Sequence, residues 1–483
     1  MSHPEVSKTP KGLYINGAWR QAAGAATFDV FDPADGAPLA SVSSASVADA
    51  LDAVSAAHAA GPAWAATAPR QRGEILRTAY TLLMRRQEEF ARLIVLESGK
   101  ALAEARGEVA YAAEFLRWYA EEAVRICGEV STAPGGANRI MVLRQPIGVA
   151  VLVTPWNFPA AMATRKIGPA LAAGCTVVLK PASETPLTAL LLAELFAQAG
   201  VPAGVINVVP SRQSGEIVHA MLHDARVRKL SFTGSTEIGR VLLAQAADKV
   251  VKCSMELGGN APFIVLDDAD LELAVASAMV AKLRNGGESC TAANRFYVAR
   301  PVAAEFSRRL AAAMAALTLG PGLDPAVQLG PLVNRGTLDK VARLVDEAVA
   351  QGATVLTGGR ARPGPGFFYE PTLLADVRPD ARILRQEIFG PVAPVCVFDT
   401  VEEAIALAND TEFGLVAFVH SRDLARALAV AERIEAGMVG INRGVVSDPA
   451  APFGGWKQSG VGREGGHDGL LAYLESKYIC VSW

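Results

Sequence analysis

The chain has 483 residues, 51% of them hydrophobic and 6% aromatic, which is enough for two or three domains with sizeable cores. Its 46 Lys and Arg against 49 Asp and Glu leave a formal charge of −3, so no basic field recruits nucleic acid or an anionic membrane, and a charged ligand must be met locally. The six cysteines, Cys127, Cys175, Cys253, Cys290, Cys396 and Cys480, lie far apart with no CxxC pair and no Cys/His cluster at metal-ligand spacing, which argues against a disulfide framework and a metal site.

The N-terminal MSHPEVSKTP lacks the charged start and apolar run of a signal peptide, and no apolar stretch approaches the roughly 20 residues needed to span a bilayer; a cytoplasmic protein with reduced thiols is the expectation. Residues 47–126 are rich in Ala, Glu and Arg at helical spacing. Segment 128–146 and the terminal YICVSW read as strands left over from both main sheets and suited to pairing with another subunit. From residue 149, short apolar runs alternate with helical stretches: VAVLVT then a helix at 159–173, CTVVLKP then 186–199, INVVP then 213–223, and KLSFTG then 236–247. Strands apolar throughout, each followed by a crossover helix, predict an open parallel sheet covered on both faces. A second series starts with FIVLDD near 262 and runs through RFYVA, a helix at 302–317, VAPVCVF, GLVAFVH and MVGIN. The chain therefore divides into two α/β units between Glu256 and Pro262.

Several short motifs carry chemistry-bearing residues. VTPWNFP puts Trp156 and Asn157 at the carboxyl end of the first parallel strand, where ligands of such sheets bind, and an Asn amide there can donate to a developing oxyanion; a proline-bounded turn is the bland alternative. KPASETP ends the next strand with Lys180 and Ser183, a neutral serine beside a lysine that leaves room for a ribose 2′-phosphate where an acid would take the diol. SFTGSTEIG gives a strand, Gly234, Ser235 and a helix start, which suits a pyrophosphate on helix N–H groups, although no GxGxxG follows any predicted strand. MELGGNAPFIV supplies Glu256, a carboxyl at the mouth of a buried strand whose raised pKa would suit a general base, or else a simple cap. In NGGESCTAANR, Cys290 follows two glycines that clear the backbone around it; taken alone it is equally a small filler, and as a nucleophile it would need a lowered pKa from nearby N–H groups.

These motifs, in this order and together with EIFGP (387–391) and PFGGWKQSGVGRE (452–464), resemble the aldehyde dehydrogenase superfamily over nearly the whole chain. The likeness is greatest to the succinate-semialdehyde group, through TRKIGPALAAGCTVVLKPAS, VRKLSFTGSTEIGR, ELGGNAPFIVLDDADL and the terminal YLESKYIC. The resemblance implies an α/β fold with two Rossmann-like open domains and a small β extension for oligomerisation. A cofactor-binding domain would span 1–127 and 147–255, a catalytic domain 256–445, and oligomerisation strands 128–146 and 468–483. It further implies that Cys290 attacks the aldehyde, that Asn157 and the Cys290 N–H hold the oxyanion, and that Glu256 activates the water that hydrolyses the thioester. Lys180 and Ser183 would meet the adenine ribose of NADP or NAD; Thr154, Pro155, Trp156, Gly234 and Ser235 the pyrophosphate region; Glu387 and Phe389 the nicotinamide end. A water-activating Glu256 favours a free acid as product over a coenzyme A ester.

In that group two arginines and a serine grip a distal carboxylate, and Arg165, Arg284 and Ser447 match them, with Phe158 and Phe453 beside the substrate. An arginine fork suits a carboxylate because two parallel donors meet two oxygens, although Arg284 at a helix C-terminus could serve the helix dipole instead. The expected partner is thus a small anionic aldehyde, most simply succinate semialdehyde, with glutarate semialdehyde or a sulfonated aldehyde such as sulfolactaldehyde as alternatives. A non-catalytic scaffold is the remaining reading, and a homodimer or homotetramer is expected. Three departures stand out: Ala292 replaces a second cysteine, so no thiol switch is expected; Glu288 adds a charge beside the thiolate; Arg443 and Asp448 would add a base and an acid beside the anion pocket.

Overall fold

Strands that are buried from end to end organise two open α/β units. The computed structural model describes residues 3–482. In the first sheet, Ile206–Val208, Thr176–Lys180, Val149–Val153, Val227–Thr233 and Lys252–Glu256 lie side by side and parallel. Every residue of Val149–Val153 and Thr176–Lys180 is buried, because crossover helices cover both faces. The edges differ from the all-parallel expectation. Leu13–Ile15 and Ala18–Arg20 extend one side antiparallel, and Gly460–Val461 joins Lys252–Glu256 antiparallel on the other. Edge strands of two or three residues are too short to leave a periodic signal.

The second sheet runs Thr354–Thr357, Thr372–Ala375, Val392–Phe398, Ala293–Ala299, Ala261–Val265, Val416–His420 and Met438–Ile441, parallel except for its first strand. The chain crosses between the sheets at residues 257–260, and the tail returns to the first sheet at Gly460–Val461. A third, antiparallel sheet is made by Leu474–Val481, Arg139–Pro146 and Glu129–Thr132. The molecule is thus an α/β protein of two Rossmann-like sheets with a small β extension.

The helix-rich stretch resolves into Val47–Ala66, Pro69–Arg85, Gln87–Ser98 and Leu102–Glu122. The last two send buried carboxylates to the N-termini of the helices that follow the parallel strands. Glu97 accepts from the N–H groups of Leu187 and Thr188, both at 2.9 Å, and Glu108 from those of Ala160 at 2.9 Å and Ala161 at 3.3 Å. Orphan N–H groups and the positive end of the helix dipole explain why a buried acid is tolerated there. Lys100 completes the arrangement, donating to Glu108 at 2.5 Å and to the Asn157 carbonyl at 2.7 Å. Glu108→Ala strips this buried cation of its counter-charge and uncaps the helix Pro159–Ala173, so the unfolding free energy is expected to fall by about 3–5 kcal/mol in urea titration. A loss under about 1 kcal/mol would show that the carboxylate does not hold this corner.

Candidate active site

One cavity opens at the carboxyl ends of the first sheet's strands, the position where ligands of open α/β folds sit, and meets the second sheet at the amino ends of Ala293–Ala299 and Val392–Phe398. The turn after Val149–Val153 brings Pro155, Trp156, Asn157 and Phe158 to its wall, and the helix Pro159–Ala173 adds Arg165. Gly234 and Ser235 come from the turn after Val227–Thr233, and Ser235 caps the helix Thr236–Ala247 by accepting from the Ile238 N–H. The second unit contributes Arg284, Cys290, Glu387, Phe389, Ser447 and Phe453.

The cysteine loop is shaped by three successive left-handed residues, Asn285 at φ 56°, Gly286 at 64° and Gly287 at 76°. A Cβ on Gly287 would overlap the Gly390 carbonyl, and one on Gly259 would overlap the carbonyl of Cys290 itself. The glycines of three separate motifs therefore lock the loop in place by backbone contact. Asn285 ties it further. Its N–H donates to Glu104 at 2.6 Å, and its side-chain amide donates to the carbonyls of Glu288 at 2.9 Å and Asn157 at 3.0 Å. The Asn157 amide donates to the same Glu288 carbonyl at 3.0 Å, which fixes its orientation and leaves its second N–H for the cavity that it lines.

Burial pushes the Cys290 thiol up to about 12; Arg165 and Arg284 favour the thiolate, while Glu387 and Glu256 oppose it. The lowered pKa anticipated for a nucleophile is not met at rest, because desolvation outweighs the nearby cations. Glu256 ends the strand Lys252–Glu256 at 3% exposure, and burial followed by the charge of Glu464 raises its carboxyl well above the usual range. Glu464 behaves oppositely. Burial works against its charge, but Lys166 and Arg165 outweigh burial and hold it below the usual range, with Lys166 and the Ser231 hydroxyl donating to its Oε1. Glu387 accepts from the Gly259 N–H at 3.1 Å, and the Phe389 ring meets Trp156 edge to face at 5.3 Å.

Arg165 and Arg284 share an aromatic box. The Arg165 guanidinium lies 4.0 Å from the Phe453 ring centroid and 5.7 Å from that of Tyr111, and Arg284 lies 5.0 Å from Phe158 and 5.8 Å from Tyr111. Arg284 forms the C-cap of the helix Leu271–Leu283 through its backbone, yet its guanidinium makes no hydrogen bond or ion pair among the described residues and faces the cavity.

Residues 19–479 match the aldehyde dehydrogenase family model. The chain belongs to that family. It is 58% identical to a succinate-semialdehyde dehydrogenase of Paenarthrobacter nicotinovorans, covering 87% of this chain and 93% of the relative. It is 50% identical to a glutarate-semialdehyde dehydrogenase of Pseudomonas aeruginosa over 97% of both chains. The crystal structure of an Escherichia coli NADP-dependent enzyme superposes with a TM-score of 0.97 at 49% identity, over 98% of each chain.

Not every residue anticipated for this aldehyde dehydrogenase's site reaches the cavity. Thr154, Lys180 and Ser183 lie beyond its lining, and Glu256 sits behind it. Burial lowers Lys180 to about 8, and the Ser183 hydroxyl donates to Glu184 at 3.2 Å, so an acid does stand beside the neutral serine. Glu288 does not line the cavity; it is 3% exposed, accepts from the Val333 N–H at 3.0 Å, and burial raises its carboxyl well above the usual range. Arg443 and Asp448 are exposed and do not line the cavity; Asp448 instead accepts from the Ala450 N–H at 2.9 Å. Tyr111, Glu104 and Lys340 went unnoticed in the sequence, being single residues on helices read only for packing, and Glu464 lay unassigned inside a quoted motif. Among the described residues no cluster of His, Cys, Asp and Glu could hold a metal ion, and no helix is long and apolar enough to cross a membrane.

With its thiol at about 12, Cys290 of the free enzyme should be alkylated by iodoacetamide at a rate rising about tenfold per pH unit from pH 6 to 9 without a plateau. Peptide mapping separates this site from the exposed Cys127 and Cys480; a plateau below pH 8 would mean that the cations outweigh burial.

Proposed function

We propose that the protein oxidises an ω-carboxylated aldehyde, most simply succinate semialdehyde to succinate, with NADP or NAD as hydride acceptor. The observation that carries this reading is the convergence of two guanidinium groups on Tyr111 in the cavity that holds Cys290, one of them with no partner of its own. A half-buried arginine left free inside an active-site cavity suits a carboxylate that arrives with the substrate. Glutarate semialdehyde remains a second reading, because a relative named for it is 50% identical over nearly the full length. The sulfonated alternative loses its support, since Arg443 stands outside the cavity.

In the proposed mechanism Cys290 gives up its proton and adds to the aldehyde carbonyl. The free N–H of Asn157 and the backbone N–H of Cys290 receive the oxyanion, the kind of contact whose loss typically costs roughly 100- to 1000-fold in turnover. A bound dinucleotide would supply the hydride acceptor whose reduction turns the thiohemiacetal on Cys290 into a thioester. Glu256 then accepts a proton from the water that attacks the thioester, and the free acid departs. The residues present fit such a cofactor: Gly234 and Ser235 open a helix N-terminus into the cavity, and the Thr233 hydroxyl is buried there without a partner. Glu387 would hold the nicotinamide ribose with Phe389 against the ring, Trp156 with Thr154 and Pro155 would border the pyrophosphate, and Lys180 and Ser183 would reach the adenine ribose.

We also propose a cytoplasmic homo-oligomer, dimer or tetramer. The six free cysteines suit a reducing compartment, and the three-stranded sheet exposes Val130, Leu143 and Tyr478 on an otherwise uncovered surface. Light scattering on the purified protein tests the assembly.

Because burial and the charge of Glu464 raise the Glu256 carboxyl, thioester hydrolysis should accelerate as pH rises and the carboxyl loses its proton. Glu256→Gln should retain a first-turnover burst of reduced cofactor and lose at least 100-fold in steady-state rate; loss of the burst as well would remove Glu256 from the hydrolytic step. On the substrate side, succinate semialdehyde should exceed butanal in kcat/KM, with glutarate semialdehyde as the third arm of the panel. On the cofactor side, Ser183→Glu should shift preference toward NAD by tenfold or more, and Glu184→Gln toward NADP. Unchanged ratios in both variants would place 2′-phosphate recognition elsewhere.

A further inference from the structure

Tyr111 lies on the helix Leu102–Glu122, outside every motif, and lines the cavity where Arg165 and Arg284 come together. Its ring is held edge-on by Phe115, with centroids 4.9 Å apart and planes at 64°. The Arg165 Nη2 donates to the Tyr111 hydroxyl oxygen at 2.5 Å. A phenol has one proton to give, and among the described residues the Tyr111 O–H has no acceptor. A hydroxyl whose lone pair is engaged by a guanidinium is polarised toward donation, so its proton is a good match for an incoming anion.

Arg165 is only partly available to a ligand. One nitrogen serves Tyr111, another stands 4.0 Å from Glu464, and its face is stacked on Phe453 at 4.0 Å. Arg284 approaches the same tyrosine, its guanidinium 5.8 Å from the ring centroid. The hydroxyl bonded by the constrained arginine adds a donor to those that Arg284 and the unpartnered Arg165 Nε offer.

We infer that Tyr111 is a substrate-recognition residue whose O–H donates to the distal carboxylate of the aldehyde, as a third donor beside Arg165 and Arg284. This rests on the anionic-aldehyde reading above.

Tyr111→Phe keeps the ring, and with it the cation–π contacts, and removes only the hydroxyl. Steady-state kinetics of the full enzyme with succinate semialdehyde, glutarate semialdehyde and butanal, together with the iodoacetamide rate at Cys290, provide the test. The expected result is a KM raised about ten- to thirtyfold for the two acids, the loss typical of one hydrogen bond to a charged group. The kcat should stay within about twofold, the KM for butanal should not change, and the alkylation rate should match wild type. An unchanged KM for the acids overturns the inference. So does an equal rise for butanal, or an altered alkylation rate, since either means that Tyr111 works by placing Arg165 and not by touching substrate. A wild-type enzyme with no preference for the acids over butanal instead defeats the anionic-aldehyde reading itself, and the wild-type arm reports that separately.

Discussion

Two buried cations, Arg165 and Lys166, leave consecutive positions of one helix, and a single carboxylate, Glu464, meets both as an anion. The rest of the site is arranged around that choice. Three unpaired charges in a dry interior would be prohibitive, whereas one carboxylate bonded by Lys166 and Ser231 and flanked by Arg165 is tolerable. With the negative charge held at Glu464, the neighbouring buried Glu256 ionises less readily, its carboxyl raised above the usual range. Phe453 joins the same knot. Its backbone pairs with that of Glu464 in both directions, and its ring covers the Arg165 guanidinium. The tail of the chain thereby sets the position of a side chain on the first sheet's helix and raises the pKa of a carboxyl at the end of the strand Lys252–Glu256.

A second constraint is steric. Cys290 is presented by backbone atoms that touch glycines from distant segments: Gly259 against its own carbonyl, and Gly287 against Gly390. Side chains at these positions would force the loop away from Asn157, whose amide shares the Glu288 carbonyl with Asn285. The oxyanion donor and the nucleophile are thus held together by one acceptor and two close backbone contacts, not by direct bonding to each other. This explains why glycines recur beside the reactive residues in the sequence.

The central strands were legible because burial on both faces leaves an unbroken apolar run, as in Val149–Val153. The short edge strands were not, and neither was the direction in which a loop side chain departs. Glu288 and Arg443 show the consequence. Each is an ionisable residue close in sequence to the site, but one turns inward to the Val333 N–H, where burial disfavours its charge, and the other stays in solvent. Tyr111 and Glu104 present the converse case. On an Ala-rich helix they look like packing or surface residues, and only the approach of the second unit turns them toward the anion box and the cysteine loop. Asn157 was legible because it leaves the carboxyl end of the strand Val149–Val153, which an open sheet places at its binding crevice, whereas Cys290 and Glu387 stand in loops before the strands Ala293–Ala299 and Val392–Phe398 and were located through their motifs.

The same two arginines that would grip a substrate carboxylate are those that favour a thiolate on Cys290. A carboxylate bound between them cancels part of that support, so anion recognition and nucleophile activation draw on one source of positive charge. A donor without net charge resolves the conflict. The Tyr111 hydroxyl can satisfy a carboxylate oxygen without adding to the cationic field or consuming it, and the polarised N–H groups at Asn157 and Cys290 do the same for the oxyanion at the reacting end. Recognition shared with neutral donors leaves more of the charge of Arg165 and Arg284 to act on the sulfur, in a cavity whose burial otherwise holds the thiol protonated.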